Sequence, residues 1–223
     1  MRKRKFFGLV GSFILLILFA CESSRIIEKP IDFEKDRIEL TLEYLKNRYG
    51  LEQNSPEIDP KMIVLHWTEI PTLEDSFRAF KNSKLPQSRE AISGASQLNV
   101  SSHFLVDKNG AIYRLMPETV MARHVIGLNH TAIGVENVGG TKDTPLTAAQ
   151  VASNIWLVNY LSDKYNIQYV IGHYEYTNFE GHDLWLEKDS GYRTMKVDPG
   201  EEFMKEVRNA TQNRNLKKVP LKK

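Results

Sequence analysis

Apolar and polar positions alternate along this chain in runs that predict separate elements. In "DFEKDRIELTLEYLKNRY", residues 32–49, Ile38, Leu42, Leu45 and Tyr49 recur on one helical stripe and Gly50 supplies a stop. "KMIVLHW" is a short apolar run between turn residues, the pattern of a buried strand. In "PTLEDSFRAF" Asp75 follows Thr72 at cap spacing, so a helix starts there. Residues 82–100 are polar and irregular and read as a surface loop. "SSHFLVDKNGAIYRLMP" holds two β-prone runs around "DKNG", a hairpin whose Asn-Gly favours positive φ. "TAIGVENVGG" reads as a strand closed by glycines. In "TPLTAAQVASNIWLVNYLSDKYN" Thr147 caps a helix, Gln150 holds the capping-box position, and Val151, Ile155, Val158 and Leu161 form a stripe. "IQYVIGH" is a further strand, and "DPGEEFMKEVRNATQNR" a closing helix with Pro199 in its first turn. This mixture, with one hairpin, predicts an α/β (mixed) fold: a central mixed β-sheet flanked by helices.

The first twenty residues follow a different pattern. "MRKRK" is positively charged, and the fifteen residues "FFGLVGSFILLILFA" carry no charge. Fifteen fall short of the roughly 20 that a membrane span needs and suit the core of a signal peptide, here residues 1–20. The segment ends in "LFAC", and Cys21 is the only cysteine in the chain. No internal disulfide can form, so core packing and any bound metal must hold the fold. The Leu-rich run, small residue and Cys resemble the bacterial lipoprotein signal, which implies lipidation of Cys21 and anchorage to a membrane. The other reading of the same residues is a plain secretory signal cut after Ala20. Residues 21–31 read as a tether, 32–211 as one domain including the helix over 32–49, and 212–223 as a solvated basic tail.

Charge narrows the partners. The chain has a formal net charge of +2, but Arg2, Lys3, Arg4 and Lys5 belong to the leader; residues 22–223 hold 26 basic and 28 acidic side chains. A net of −2 gives no reason to expect nucleic-acid binding. Six histidines are present: His66, His103, His124, His130, His173 and His182. Two of them close strand-like runs, "IVLHW" and "YVIGH". A lone strand-end histidine is more often structural than a ligand. With Asp198 these two make a pair of imidazoles and a carboxylate, the composition of a catalytic zinc site with an open fourth position. The residues alone reach no further than a metal hydrolase candidate, because 107 positions separate the two histidines and no local motif joins them.

The blocks "IVLHWTE", "SSHFLVDKNGAIYRLMP", "ARHVIGLNHTAIGVENVGG", "VIGHYEY" and "MKVDPG" occur in that order. Together, over about residues 60–205, they resemble the zinc-dependent N-acetylmuramoyl-L-alanine amidases of the type 2 family, whose fold is shared with peptidoglycan recognition proteins. The resemblance implies one Zn2+ held by His66, His173 and Asp198, with Glu136 as catalytic acid/base and Lys196 as oxyanion stabiliser. It places His124 and Asn129 beside the substrate cleft, and peptidoglycan or a muropeptide in it; Trp67, next to the first ligand, reads either as an aromatic face for a sugar or as core. Some relatives carry a tyrosine where this chain has Ser102, which leaves the general-base role to Glu136. His103 and His130 read as structural. The 174–197 stretch looks like an insertion forming part of a groove wall, with His182 outside the ligand set. Lipidation would put the protein in the bacterial cell envelope. Glu22 after the cysteine, rather than Asp, points to the periplasmic side of the outer membrane. The alternative function is a non-catalytic peptidoglycan-binding lipoprotein of the same fold.

Overall fold

A computed structural model describes residues 25–86, 92 and 94–222; the leader, Cys21 and part of the 82–100 loop lie outside them. Six strands form one sheet: β1 (Ile26–Glu28), β2 (Met62–Trp67), β3 (Phe104–Val106), β4 (Ile112–Arg114), β5 (Ala132–Asn137) and β6 (Tyr169–Gly172). Their order is β1-β4-β3-β5-β2-β6. The pairs β3–β5, β5–β2 and β2–β6 are parallel, β3–β4 is the antiparallel hairpin, and β1 runs parallel to β4. The helices are α1 (Lys35–Tyr44), α2 (Leu73–Lys81), α3 (Ala148–Lys164) and α4 (Glu201–Ala210). The expected mixed sheet flanked by helices is therefore present.

Period-two alternation divides the central strands between two cores. Ile63 and Leu65 of β2, Ile133 and Val135 of β5 and Val170 of β6 face Leu157, Val158 and Leu161 of α3 and Phe203, Met204 and Val207 of α4. Met62, Val64, Ala132, Tyr169 and Ile171 face the other way, against Val125, Ile126, Leu128, Tyr176 and Phe179. That second covering is made of loops and short turns, and His66 and Glu136 extend the same face toward the strand ends. Central strands buried on both faces explain why β2 reads as an unbroken apolar run.

Sequence signals set the helix starts. The Thr72 side chain accepts from Asp75 N–H, and Thr147 with Gln150 completes a capping box. The "DKNG" turn closes the hairpin with Gly110 at φ +86°. The buried helix faces coincide with the apolar stripes only in part: Leu45, Tyr49, Val158 and Leu161 are inside as expected, with polar residues beside them. In α1 the buried residues are Arg37, Thr41 and Tyr44, followed by Leu45 and Tyr49 in a π-helical turn. Arg37 is buried because its guanidinium donates to the carbonyls of Phe80, Lys81 and Asn82, which the end of α2 leaves open. In α3, Gln150 and Asn154 are buried while Val151 and Ile155 are only partly covered. Gln150 Nε2 donates to the carbonyls of Val106 and Val138, at the ends of β3 and β5.

Three boundary readings change. Ile26–Glu28, read as tether, is the sheet's edge strand, because its backbone pairs with Ile112–Arg114. Pro199 precedes α4 instead of entering it, since Gly200 at φ +89° breaks the helical path there. The basic tail is not free in solution. Lys217 N–H donates to the Gln168 carbonyl, Arg214 pairs with Asp163, and Leu216 and Val219 pack against the two cores. Among the described residues no helix is long and apolar enough to cross a membrane.

Candidate metal centre and active site

The strands β2, β5 and β6 deliver side chains to one end of the sheet. His66 is the next-to-last residue of β2 and lies in register with Glu136 of β5. His173 follows the last residue of β6 and opens a short 3-10 turn. Asp198 arrives from the loop before α4, tied to that turn by Tyr174 N–H donating to its carbonyl at 3.1 Å. His66 is braced from behind. Asn154 of α3 donates to Asn137 Oδ1 at 2.7 Å, and Asn137 Nδ2 donates to the His66 carbonyl at 2.9 Å.

Residues 132 positions apart thus meet. His66 Nδ1 lies 2.9 Å from His173 Nδ1, and each of these nitrogens lies 3.1 Å from Asp198 Oδ2. All three residues are buried. Three lone-pair atoms at such separations repel unless a proton or cation stands among them, and two imidazoles with a carboxylate are suited to a divalent ion. The donor set therefore could hold one metal ion. Its electrostatics agree. Burial holds the His173 imidazole down at about 4, with neighbouring His66 adding to the effect, so the ring keeps its lone pair at neutral pH. Burial tends to raise the Asp198 carboxyl, but its contacts with the His173 and His66 rings outweigh it and hold the group well below the usual carboxylate range.

A cleft of about 290 Å³ opens at this cluster, lined among others by Trp67, Glu136, Met195, Lys196 and Val197. Glu136 is buried and Lys196 half-buried. The two charged residues that the sequence assigned to catalysis therefore border the same space as His66, His173 and Asp198. Trp67 is held between Gly140 and Gly200: a Cβ on Gly140 would stand 2.3–2.5 Å from its ring and side-chain carbons. A second lobe, lined by Tyr44, Ile126, Tyr192 and Thr194, joins the cleft at His173 and Lys196. The 174–197 stretch thus walls the site. Tyr176 OH donates to the Thr194 carbonyl and accepts from Thr194 N–H, both at 2.8 Å, which draws that loop inward.

The other expected contacts are distributed differently. Asn129 is buried in its own loop: Oδ1 accepts from His124 N–H and Val125 N–H, and Nδ2 donates to Tyr49 OH. It lines the second lobe and holds that loop in place. Both ring nitrogens of His124 face protein atoms, His66 Nε2 at 3.0 Å and the Ala132 carbonyl at 3.2 Å. His103 is structural, accepting Gly134 N–H at Nδ1 and placing Nε2 2.8 Å from the Val120 carbonyl. His130 packs edge-on against Tyr49, and His182 faces Tyr169 OH, away from the donors. Ser102 is buried and bonded to the Phe104 carbonyl.

Arg123 escaped the sequence reading. It is buried at the cleft wall, where it donates to the carbonyls of Ser96, Leu98 and Ile92 and to Tyr192 OH. Hydropathy reads an isolated arginine as surface. Only tertiary structure brings those carbonyls to it.

A family model described as Amidase_2, N-acetylmuramoyl-L-alanine amidase, matches residues 42–201. No curated protein sequence matches. Among solved structures, an AmpD selenomethionine derivative is 20% identical, covering 84% of this chain and 94% of that one, with a TM-score of 0.51. The amidase LysC from Clostridium intestinale URNW is 24% identical over 86% of this chain and 98% of that one, at 0.49. Peptidoglycan recognition protein-LE, solved in complex with tracheal cytotoxin, is 18% identical over 83% and 94%, at 0.49. The matched span contains every strand from β2 to β6 and all of His66, Glu136, His173 and Asp198, and on that ground the chain belongs to the family of N-acetylmuramoyl-L-alanine amidases.

Proposed function

We propose that this amidase holds one zinc ion on His66, His173 and Asp198 and cuts the amide between N-acetylmuramic acid and L-alanine with Glu136 and Lys196. The carrying observation is the convergence of His66 Nδ1, His173 Nδ1 and Asp198 Oδ2 within 3.1 Å of one another. Bonds of 2.0–2.1 Å to a tetrahedral zinc would separate its ligands by roughly 3.3 Å, close to those spacings. When bound, the ion would supply Lewis acidity and bring a water's pKa down to about 7.

The chain's own residues supply the rest. Glu136, beside His66, takes a proton from the attacking water and returns it to the leaving L-alanine nitrogen. Lys196 puts its ammonium at the amide oxygen as negative charge grows there, worth about 3 kcal/mol for one such donor. Trp67 offers an aromatic face to the sugar. The non-catalytic alternative would leave Glu136 and Lys196 without a task in the cleft.

Location belongs to the same proposal. The leader pattern supports lipidation of Cys21 and residence on the periplasmic side of the outer membrane. A lipid on Cys21 would also orient the molecule. Ile26 pairs with Ile112, and Ile112 with Val106 at the end of β3, so the chain enters at the sheet end that carries the cleft. Five residues reach at most about 18 Å, so a lipid on Cys21 would hold that end toward the membrane.

Digestion of purified sacculi with mass analysis of the products tests the reading. The protein should release peptides with free L-alanine amino termini, a chelator should stop it, and zinc should restore it. Glu136→Ala should bind wall without cutting it. Products cleaved elsewhere in the peptide, or full activity in the zinc-free protein, would overturn the proposal.

A further inference from the structure

The ring of His124 stands directly behind His66, and its surroundings decide where the hydrogens lie. The Ala132 carbonyl can only accept, so the His124 Nε2 at 3.2 Å from it is the donor. The ring sits edge-on between the imidazoles of His66 and His103, at 5.1 and 5.9 Å between centroids, and its two nitrogens face an imidazole and a carbonyl with no carboxylate to hold a second proton, so the ring is neutral. A neutral imidazole that donates from Nε2 keeps a lone pair on Nδ1. That Nδ1 lies 3.0 Å from His66 Nε2. The hydrogen between them must come from His66. A His66 ring protonated on Nε2 has a bare Nδ1, the atom that faces His173 and Asp198. With the opposite tautomer the hydrogen on Nδ1 would fill the point where the three donors converge.

We propose that His124 is a positioning residue that fixes His66 in its Nε2-protonated tautomer and aims the His66 Nδ1 lone pair at the metal position. The inference rests on the metal reading of His66, His173 and Asp198. It assigns His124 a task other than touching substrate. The ring is boxed for that task from several sides. Asn129 Oδ1 accepts the backbone N–H groups of His124 and Val125, which fixes the start of the side chain. Gly134 lies under the ring: a Cβ there would stand 2.8–2.9 Å from its Cγ, Cδ2 and Nδ1. His103 meets it edge-on at 5.9 Å between centroids and is itself fixed at both nitrogens. A histidine ligand oriented by a partner on its other nitrogen is a general device of metal sites.

The test compares His124→Leu and His124→Asn in the purified protein, with zinc affinity measured by competition against a chromophoric chelator. Leu removes the acceptor; the Asn amide oxygen can take the place of Nδ1. The expected result is zinc binding weakened roughly 10- to 100-fold in His124→Leu and largely restored in His124→Asn. Unchanged affinity in His124→Leu with a raised KM would make His124 a substrate contact and overturn the inference. Equal losses in both variants would reduce it to packing and overturn it too. Nitrogen-15 NMR of the unsubstituted, metal-free protein decides independently of whether the variants fold. The His66 hydrogen is expected on Nε2; finding it on Nδ1 defeats the proposal. Failure of the unsubstituted protein to bind zinc would overturn the metal reading itself, a result recognisable before any variant is made.

Discussion

The two faces of the central sheet solve different problems with adjacent residues of the same strands. On one, Ile63, Leu65, Ile133, Val135 and Val170 meet α3 and α4 in an apolar core. On the other, His66 and Glu136 end the strands among imidazoles, a carboxylate and loop side chains. The first face is held by area removed from water, which tolerates changes of shape. The second is held by directional bonds, where a lost partner leaves a buried polar atom stranded. Stability should therefore depend most on the helix-covered face, and chemistry on the loop-covered one.

The largest break should come from Asp198→Ala. Losing the only carboxylate of the donor set should lower amidase activity by at least about a thousandfold, several kcal/mol of barrier. Metal content by elemental analysis should fall in parallel. Full zinc occupancy with normal activity would dissolve the contrast, since the loop-covered face would not need that donor. The converse experiment is Leu161→Ala on α3, a residue with no exposed surface. It should cost roughly 3 kcal/mol in denaturant unfolding and leave zinc affinity unchanged.

Acid sharpens the same comparison. Burial holds His103, on the site face, down at about 4, well under the 6.5 of an exposed imidazole. A depressed pKa means that the unfolded chain binds the proton first. The stabilisation is complete above about pH 6.5 and is lost as pH falls toward 4, on the order of 3 kcal/mol. His130 is likewise held down at about 4, by burial and then by Lys61, and acts in the same direction. Unfolding measured across this window should become shallower for His103→Gln; an unchanged slope would exclude His103 as a source. The smallest effect belongs to the helix-covered face. Thr147→Ala removes the acceptor for Gln150 N–H, and should cost about 1 kcal/mol without altering KM.

Legibility followed the same division. Apolar periodicity revealed β2, the hairpin, α3 and the sheet class, because burial of a continuous strand or stripe is written in neighbouring residues. It put Leu45, Tyr49, Val158 and Leu161 inside, where they are, but missed the polar groups buried on α1 and α3, Arg37, Thr41, Gln150 and Asn154. Arg37, Gln150 and Asn154 are inside because they satisfy backbone carbonyls or polar groups on other elements, a condition no local pattern records. The edge strand Ile26–Glu28 was hidden for a related reason: three residues carry no periodicity, and only their partner Ile112–Arg114 makes them a strand.

By itself, the sequence determined the residue types available for chemistry, the strands that end in His66 and beside His173, the helix caps and the order of the family blocks. Tertiary structure decided which of six histidines converge, since His66, His173 and Asp198 meet only when β2, β6 and the loop before α4 share one sheet end. It also bonded His124 and Asn129, which line the cleft and its second lobe, to other groups of the protein. The physical reason is range. Hydrophobic period and capping act over a few residues, whereas a hydrogen bond or a ligand set is fixed by distances of about 3 Å between atoms far apart in the chain.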